Sequence, residues 1–231
     1  MSAPLTVTGA VSMAGGTLNA GSSALQAGSI ALTGGTLKMS SGTTTVGGSF
    51  TNSGGTVTAN GGALLLTGLG TLSPGSASLN DLTINASGKV ITLGSALLVG
   101  GDLTISAGTL AATTWPVSVS GNWSNSGTFT SAGTVTLSGT SASGTLKSGG
   151  SSFASLVING SGGTYTLQDK LTTTDDLTLT AGTLAAGSSN VVVAGDFSVS
   201  AGAFTGGAGT VTIAGNLALT GGTYTGGAGS L

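Results

Sequence analysis

Histidine, cysteine, arginine and glutamate are all absent from this chain of 231 residues. The basic residues are four lysines and the acidic ones six aspartates, so only 4% of the chain is charged, against about 25% in ordinary soluble domains. Without His and Cys, the usual ligands of zinc, copper, haem and iron–sulfur clusters are missing. The Ser-His-Asp and Cys-His catalytic arrangements are excluded as well, because each needs a histidine base.

Basic patches and long apolar runs are also missing. Four scattered lysines cannot neutralise the phosphates of a nucleic acid, so we expect no nucleic-acid partner. No apolar run reaches the ~18 residues that cross a membrane, so we expect no membrane insertion. Residues 1–4 do not resemble a secretory signal, and we expect either that a signal was removed or that the chain was excised from a longer one. This composition predicts a protein that is not an enzyme and has no cofactor.

What the chain does contain is a repeat. Val, Ile, Leu and Thr alternate at strand spacing, unlike the charged, β-branched-poor composition of disordered chains. A short apolar strand returns about every 18 to 20 residues, a period typical of solenoids. Twelve repeat starts can be aligned, at Leu5, Leu25, Thr44, Leu64, Leu79, Leu97, Val117, Val135, Phe153, Leu171, Val191 and Val211. We therefore predict one all-β domain over residues 1–231, a parallel β-helix of about twelve coils.

One repeat illustrates the predicted coil, which has three short strands. Residues 191–193 are β-branched, and residues 194–195 form a corner. The next strand alternates, placing Phe197 and Val199 on one face. Residues 203–205 form the third strand, and a glycine-rich segment closes the coil. Three strands separated by such bends give a triangular coil.

Stacked coils pair each strand in parallel with its equivalent one repeat away, which places apolar residues in columns. One predicted column runs through Leu18, Leu37, Val57, Leu72, Leu110, Phe129, Leu146, Tyr165, Leu184, Phe204 and Tyr224. Another runs through Leu103, Trp123, Leu177, Phe197 and Leu217. We expect an irregular coil at residues 64–78, which contain Pro74, and a loop near residues 140–152.

Threonine recurs just before the inward residue of the third strand. The predicted ladder consists of Thr17, Thr36, Thr56, Thr71, Thr109, Thr128, Thr145, Thr164, Thr183 and Thr223. Regular Thr ladders on a flat solenoid face resemble those of ice-binding β-solenoids. Thr is also a common polar residue on any pleated surface, so a purely structural interpretation stands beside the functional one.

A second polar column follows glycine at the start of the second strand. Its predicted members are Asp102, Asn122, Asp176, Asp196 and Asn216. In-register stacking places Asp176 and Asp196 about 5 Å apart, where like charges favour a bound cation. Asp175, Asp176 and Asp196 are thus candidate Ca²⁺ ligands. The alternative is that these side chains accept backbone N–H groups at the corner.

The repeat unit itself resembles a known group of proteins. The strings at residues 121–130 (GNWSNSGTFT) and 176–184 (DLTLTAGTL) are similar to repeats of large secreted bacterial surface proteins. These are the adhesins and autotransporter passengers that form a right-handed parallel β-helix. The resemblance implies an extracellular or cell-surface location and a structural or adhesive role.

The two ends of the predicted solenoid expose unpaired strand edges, which natural proteins normally block with charges, proline or a covering helix. Pro4 is the one visible blocking residue. We therefore predict assembly ends at Leu5, Val7 and Leu231, with head-to-tail self-association into a filament. The alternatives are a stalk segment of an adhesin, with cell-surface or glycan contact, and an ice-binding solenoid.

Overall fold

The computed structural model describes Met1 and residues 3–228, which are entirely β-strand, turn and loop. Leu231, predicted as an assembly end, lies outside the described residues. No helix in the described part could span a membrane. The strands are β1 (Leu5–Asn19), β2 (Leu25–Lys38), β3 (Thr43–Val46), β4 (Phe50–Asn52), β5 (Thr56–Thr58), β6 (Ala63–Leu66), β7 (Gly70–Ser73), β8 (Ser78–Leu79), β9 (Asp81–Leu93), β10 (Leu97–Val99), β11 (Leu103–Thr113), β12 (Val117–Val119), β13 (Trp123–Asn125), β14 (Thr128–Ser131), β15 (Thr134–Leu137), β16 (Gly144–Lys147), β17 (Ser155–Leu167), β18 (Leu171–Thr173), β19 (Leu177–Ala185), β20 (Val191–Val193), β21 (Phe197–Val199), β22 (Ala203–Thr205), β23 (Val211–Ile213), β24 (Leu217–Leu219) and β25 (Thr223–Thr225).

The strands stack in parallel on three faces of a β-solenoid. Face 1 runs through Leu5, Leu25, Thr44, Leu64, Leu82, Leu103, Trp123, Leu146 and Leu167, and continues from Tyr165 through Leu184, Phe204 and Tyr224. Face 2 contains Ile30, Phe50, Leu72 and Leu93, then Ile91, Leu110 and Phe129, and later Leu171, Val191 and Val211. Face 3 contains Leu18, Leu37 and Val57, then Leu79 and Val99, and then Leu97, Val117, Val135, Leu156, Leu177, Phe197 and Leu217.

The predicted parallel β-solenoid with three short strands per coil is confirmed, with about 11 turns. Partners on face 1 are 18 to 23 residues apart. The shortest turn runs from Leu64 to Leu82 and the longest from Trp123 to Leu146. The longest turn contains the first part of the predicted loop near residues 140–152, and β16 nevertheless forms within that loop at Gly144–Lys147. The predicted irregular coil at residues 64–78 contains β6, β7 and β8, with Pro74 between the last two.

The predicted alignment of repeats is wrong at two points. Leu64 pairs with Leu82 on face 1, whereas Leu79 belongs to face 3. Val135 pairs with Leu156, whereas Phe153 bridges to Thr173. Because the three faces carry similar strands, each change of turn length moved the alignment to another face.

Both predicted apolar columns therefore combine residues from different faces. Leu72 pairs with Phe50 on face 2, and so does not continue the column of Val57 on face 3. Trp123 pairs with Leu146 on face 1, whereas the column from Leu177 runs along face 3. The inward direction of the large residues was nevertheless predicted correctly, since almost all of them are buried.

Inward-facing residues form one continuous apolar core along the solenoid. Its middle contains an aromatic cluster in which the Trp123 ring packs edge-on against Phe129 and Phe153, with centroids 4.8 and 5.2 Å away. Asn125, also buried, satisfies its amide by donating to the Ser148 carbonyl and to Ser151 Oγ at 2.8 and 3.0 Å. A buried polar group is tolerated there because it is fully hydrogen-bonded.

Candidate functional site

The two terminal rungs are the places where the pairing pattern stops. Within the described residues, β1 pairs only with β2, while β23, β24 and β25 pair only with β20, β21 and β22. Each end therefore presents one row of strand N–H and C=O groups without a strand partner in the described part of the chain. All strand pairing is parallel, so the N-terminal rung exposes the lower edge of its strands and the C-terminal rung exposes the upper edge. Two such edges can pair head to tail in the same parallel arrangement.

Apolar core residues are uncovered at the C-terminal rung. Leu217 and Leu219 are 41% and 52% exposed, whereas their neighbours one turn earlier, Phe197 and Val199, are fully buried. At the N-terminal rung the predicted end residues Leu5 and Val7 are half-buried. The core thus continues to both ends of the described solenoid without a polar cover.

Aspartate and asparagine connect successive coils at one corner of the solenoid, where face 1 begins. Asp81 Oδ1 accepts the N–H of Asp102 at 2.8 Å, and Asp102 Oδ1 accepts the N–H of Asn122 at 2.7 Å. Asn122 Oδ1 then accepts the N–H of Thr145 at 2.8 Å. We call this series the first Asp/Asn ladder. The two carboxylate oxygens satisfy corner N–H groups that lie outside the strands, and the Asn122 amide oxygen satisfies an N–H of β16.

A second Asp/Asn ladder occupies a different corner, where face 3 begins. Asp176 Oδ1 accepts the N–H of Asp196 at 2.8 Å, and Asp196 Oδ1 accepts the N–H of Asn216 at 2.7 Å. The single Asp/Asn column predicted from the sequence is therefore two ladders on two corners. Sequence reasoning also missed Asp81, because it follows Asn80 and not a glycine.

The ladders explain why glycine precedes most of these residues. A Cβ on Gly121 would overlap the Asp102 carboxylate, and one on Gly215 would overlap the Asp196 carboxylate. The same overlap occurs at Gly101 and Gly195 with the carboxylate one turn below. The Gly-Asp/Asn motif thus reports the close approach of a side chain from the preceding coil, which only a residue without Cβ allows.

The candidate calcium ligands take part in hydrogen bonds between coils. Asp175 Oδ2 accepts the Ser155 hydroxyl at 3.0 Å, and Asp176 accepts the backbone of Asp196. Among the described residues, no group of three or more Asp side chains is placed to hold a metal ion. Asp176 and Asp196 therefore accept backbone N–H groups at the corner, which is the alternative to calcium binding that the sequence left open.

The predicted threonine ladder is divided among the three faces. Thr17, Thr36 and Thr56 pair on face 3, and Thr109 and Thr128 on face 2. On face 1, Thr164 pairs with Thr183, Ala203 separates Thr183 from Thr223, and Thr145 pairs with Thr166. Thr71 pairs with Thr92. The single continuous ladder does not form, because the ten positions were aligned across changes of face.

Comparison with family models, curated proteins and solved structures gives no match to this chain.

A small cavity of about 200 Å³ opens beside the first Asp/Asn ladder. Asp102, Ser120, Asn122, Ser141, Ser143 and Tyr165 contribute to its lining. The Tyr165 hydroxyl donates to the Gly121 carbonyl and accepts the Gly139 N–H, each at 3.0 Å. Burial raises the pKa of Tyr165 above its ordinary value of 10.0, the Gly139 N–H lowers it, and the Asp102 charge raises it further. The phenol thus bridges two coils as a neutral donor.

This bridge predicts a loss of stability at high pH. Because the pKa of Tyr165 is higher in the folded than in the unfolded chain, its contribution is fully present below pH 10 and is lost as pH rises through the folded pKa. Tyr165→Phe should therefore flatten the fall of the unfolding free energy above pH 10, as measured by urea titration at pH 8 to 12. Tyr165 and its Phe variant are compared in a Tyr224→Phe background, because burial also raises the pKa of Tyr224, the other tyrosine of the chain. An unchanged slope in Tyr165→Phe would contradict the assigned role.

Proposed function

We propose that the protein is a non-enzymatic, extracellular structural protein whose solenoids stack end to end into a filament. The observation that carries the proposal is the pair of open ends. Each presents a rung of parallel strands with no strand partner on its outer side in the described residues, and the two rungs have complementary polarity. Backbone pairing across such a junction would repeat the pairing that already joins the coils.

Charge distribution supports the proposal. Neither the N-terminal strand, Leu5–Asn19, nor the C-terminal strands within residues 211–225 contain Lys or Asp. Charged edge residues are a common device against edge-to-edge pairing, and here they are missing from both end rungs. Exposed Leu217 and Leu219 add apolar area that a second solenoid would cover.

The extracellular location rests on the resemblance of the repeats to secreted bacterial surface proteins. An adhesin stalk remains the alternative function, since the same solenoid could serve as a rigid spacer. Ice binding loses its main support, because the threonines lie on three faces and do not form one array.

Negative-stain electron microscopy across a concentration series tests the proposal. We expect wild-type protein to form long, uniform fibres, and Leu217→Lys to leave single rods, because it places a charge on the exposed end of the core. Leu98→Lys is the matched control: Leu98 is 40% exposed but pairs on both sides in the middle of the rod, so this variant should form fibres. Wild-type protein that stays as rods of roughly 50 Å, eleven turns at strand spacing, would favour the stalk.

A further inference from the structure

We propose that Asn85 and Asn159 are acceptor sites for an N-linked sugar, and that Asn122 is not. Sequences of the form Asn-x-Ser/Thr are the substrates of enzymes that attach a sugar to the asparagine amide. The chain contains three of them, at residues 85–87, 122–124 and 159–161. The sequence alone treats the three as equal, whereas their structural surroundings differ. The inference concerns the sides of the solenoid and does not depend on filament formation.

Asn85 and Asn159 occupy equivalent positions in two similar pairs of coils. The sequence Ile-Asn-x-Ser-Gly begins at Ile84 and again at Ile158. Each asparagine lies in a long strand, β9 or β17, at a register shift in the pairing with the next coil. In both strands the isoleucine is buried and the asparagine is exposed. Asn85 lies between faces 1 and 2, and Asn159 between faces 3 and 1.

Both of these corners are open to solvent. Each asparagine and the serine two positions later are exposed, while the residue between them, Ala86 or Gly160, is buried and holds the backbone against the core. The next residue is a glycine with a left-handed φ, +67° at Gly88 and +77° at Gly162, which turns the chain. A Cβ on either of these two glycines would meet no atom within 4 Å. Neighbouring coils therefore leave both turns uncovered for an enzyme to approach.

The side chain of Asn122 is held in the first Asp/Asn ladder. Its Nδ2 donates to Oδ1 and Oδ2 of Asp102 at 3.1 and 3.2 Å. Its Oδ1 accepts the backbone N–H and the hydroxyl of Thr145 at 2.8 and 3.0 Å. Asn122 is half-buried, and the residue that follows it is the core residue Trp123. Attachment of a sugar at Asn122 would therefore disrupt the hydrogen bonds that join three coils.

The modification joins the amide nitrogen of asparagine to the anomeric carbon of a nucleotide-activated hexose. The new C–N bond forms as the bond between that carbon and the diphosphate oxygen breaks. The nucleoside diphosphate leaves with the electron pair of the broken bond, and the amide nitrogen loses one proton. The nitrogen must first leave its existing hydrogen bonds, and bonds to a carboxylate are the strongest of these. The exposed amides of Asn85 and Asn159 do not have this cost.

Incubation of the folded protein with a soluble N-glycosyltransferase and a nucleotide-activated hexose tests the proposal, with peptide mass spectrometry as the readout. We expect hexose on Asn85 and Asn159. The initial rate at each should be at least roughly tenfold higher than at Asn122, the factor that corresponds to one hydrogen bond to a charged group. Ser87→Ala should abolish addition at Asn85 and leave Asn159 unchanged. Ser87 is exposed, so the circular dichroism of this variant should match that of wild type.

The double variant Asn85→Gln/Asn159→Gln provides the second measurement, and it should lose nearly all hexose uptake. Peptide mapping separates the proposed reaction from non-enzymatic attachment of sugar to a lysine, for which Lys89 is the neighbouring candidate. Hexose on Lys89 with none on Asn85 and Asn159 would overturn the proposal. Equal rates at the three asparagines would overturn it too, as would full uptake by the double variant. Fibre formation is measured separately, and its failure would leave this inference standing.

Discussion

Trp123→Ala is expected to lower the free energy of unfolding by about 3 to 5 kcal/mol, the cost typical of removing a large buried aromatic ring. Trp123 is fully buried on face 1 and packs edge-on against Phe129 and Phe153. Its removal would leave a cavity in the middle of the core, where strands on both sides limit collapse. Denaturant titration followed by circular dichroism would measure the change.

The second tryptophan of the chain provides the matched control. Trp115 is 41% exposed at a corner beside Pro116, so Trp115→Ala should change stability by less than about 0.5 kcal/mol. Similar losses in the two alanine variants would contradict the assigned core role of Trp123. Trp123→Phe should cost clearly less than Trp123→Ala, because the indole Nε1 is buried without a hydrogen-bond partner in the described structure.

Gly68→Ala is expected to destabilise the protein by about 3 kcal/mol, at the upper end of ordinary overpacking costs. Its Cβ would overlap the carbonyl oxygen of Gly47 and lie 2.7 Å from the carbonyl carbon. That carbonyl belongs to the backbone of the coil below and cannot rotate away as a flexible side chain would. Relief requires the two coils to separate locally, which weakens strand pairing on both sides of the corner. Thermal and urea unfolding would report the loss.

Gly9→Ala is the control for this corner, since Gly9 and Gly68 both lie between face 1 and face 2. At low concentration it should leave stability unchanged or raise it by about 0.5 to 1 kcal/mol, because alanine has less freedom in the unfolded chain. Equal destabilisation by the two substitutions would show that the coil below is not the cause. A neutral Gly68→Ala would show the same.

Most of the fold could be predicted from the sequence because a solenoid depends on local repetition. Strand alternation and corner glycines recur along the chain. The fold class, the number of strands per coil and the inward-facing residues could therefore be predicted from the sequence. The assignment of faces did not follow. In the sequence, the strand at Leu79 on face 3 resembles a face 1 strand. The turn from Leu64 to its face 1 partner Leu82 spans only 18 residues. Only pairing in three dimensions separates such similar strands.

The candidate sites divide in the same way. The Gly-Asp/Asn motif could be recognised in the sequence at Asp102 and Asp196. The reason for its glycine could not, because the carboxylate that excludes a Cβ at the glycine belongs to the preceding coil. Asp81 had only an indirect signal, the glycine at position 101 of the next turn.

The stacking of coils along one axis has a mechanical consequence. Hydrogen bonds between coils run parallel to that axis, so a pull on the two ends of the rod opens them one turn at a time. A turn of 20 residues, such as that from Phe204 to Tyr224, releases roughly 65 Å of extended chain, although it contributes only about 4.8 Å to the length of the rod. Under tension each opened turn would therefore lengthen about fourteenfold, and the rod would dissipate mechanical work in many small steps before any covalent bond is strained.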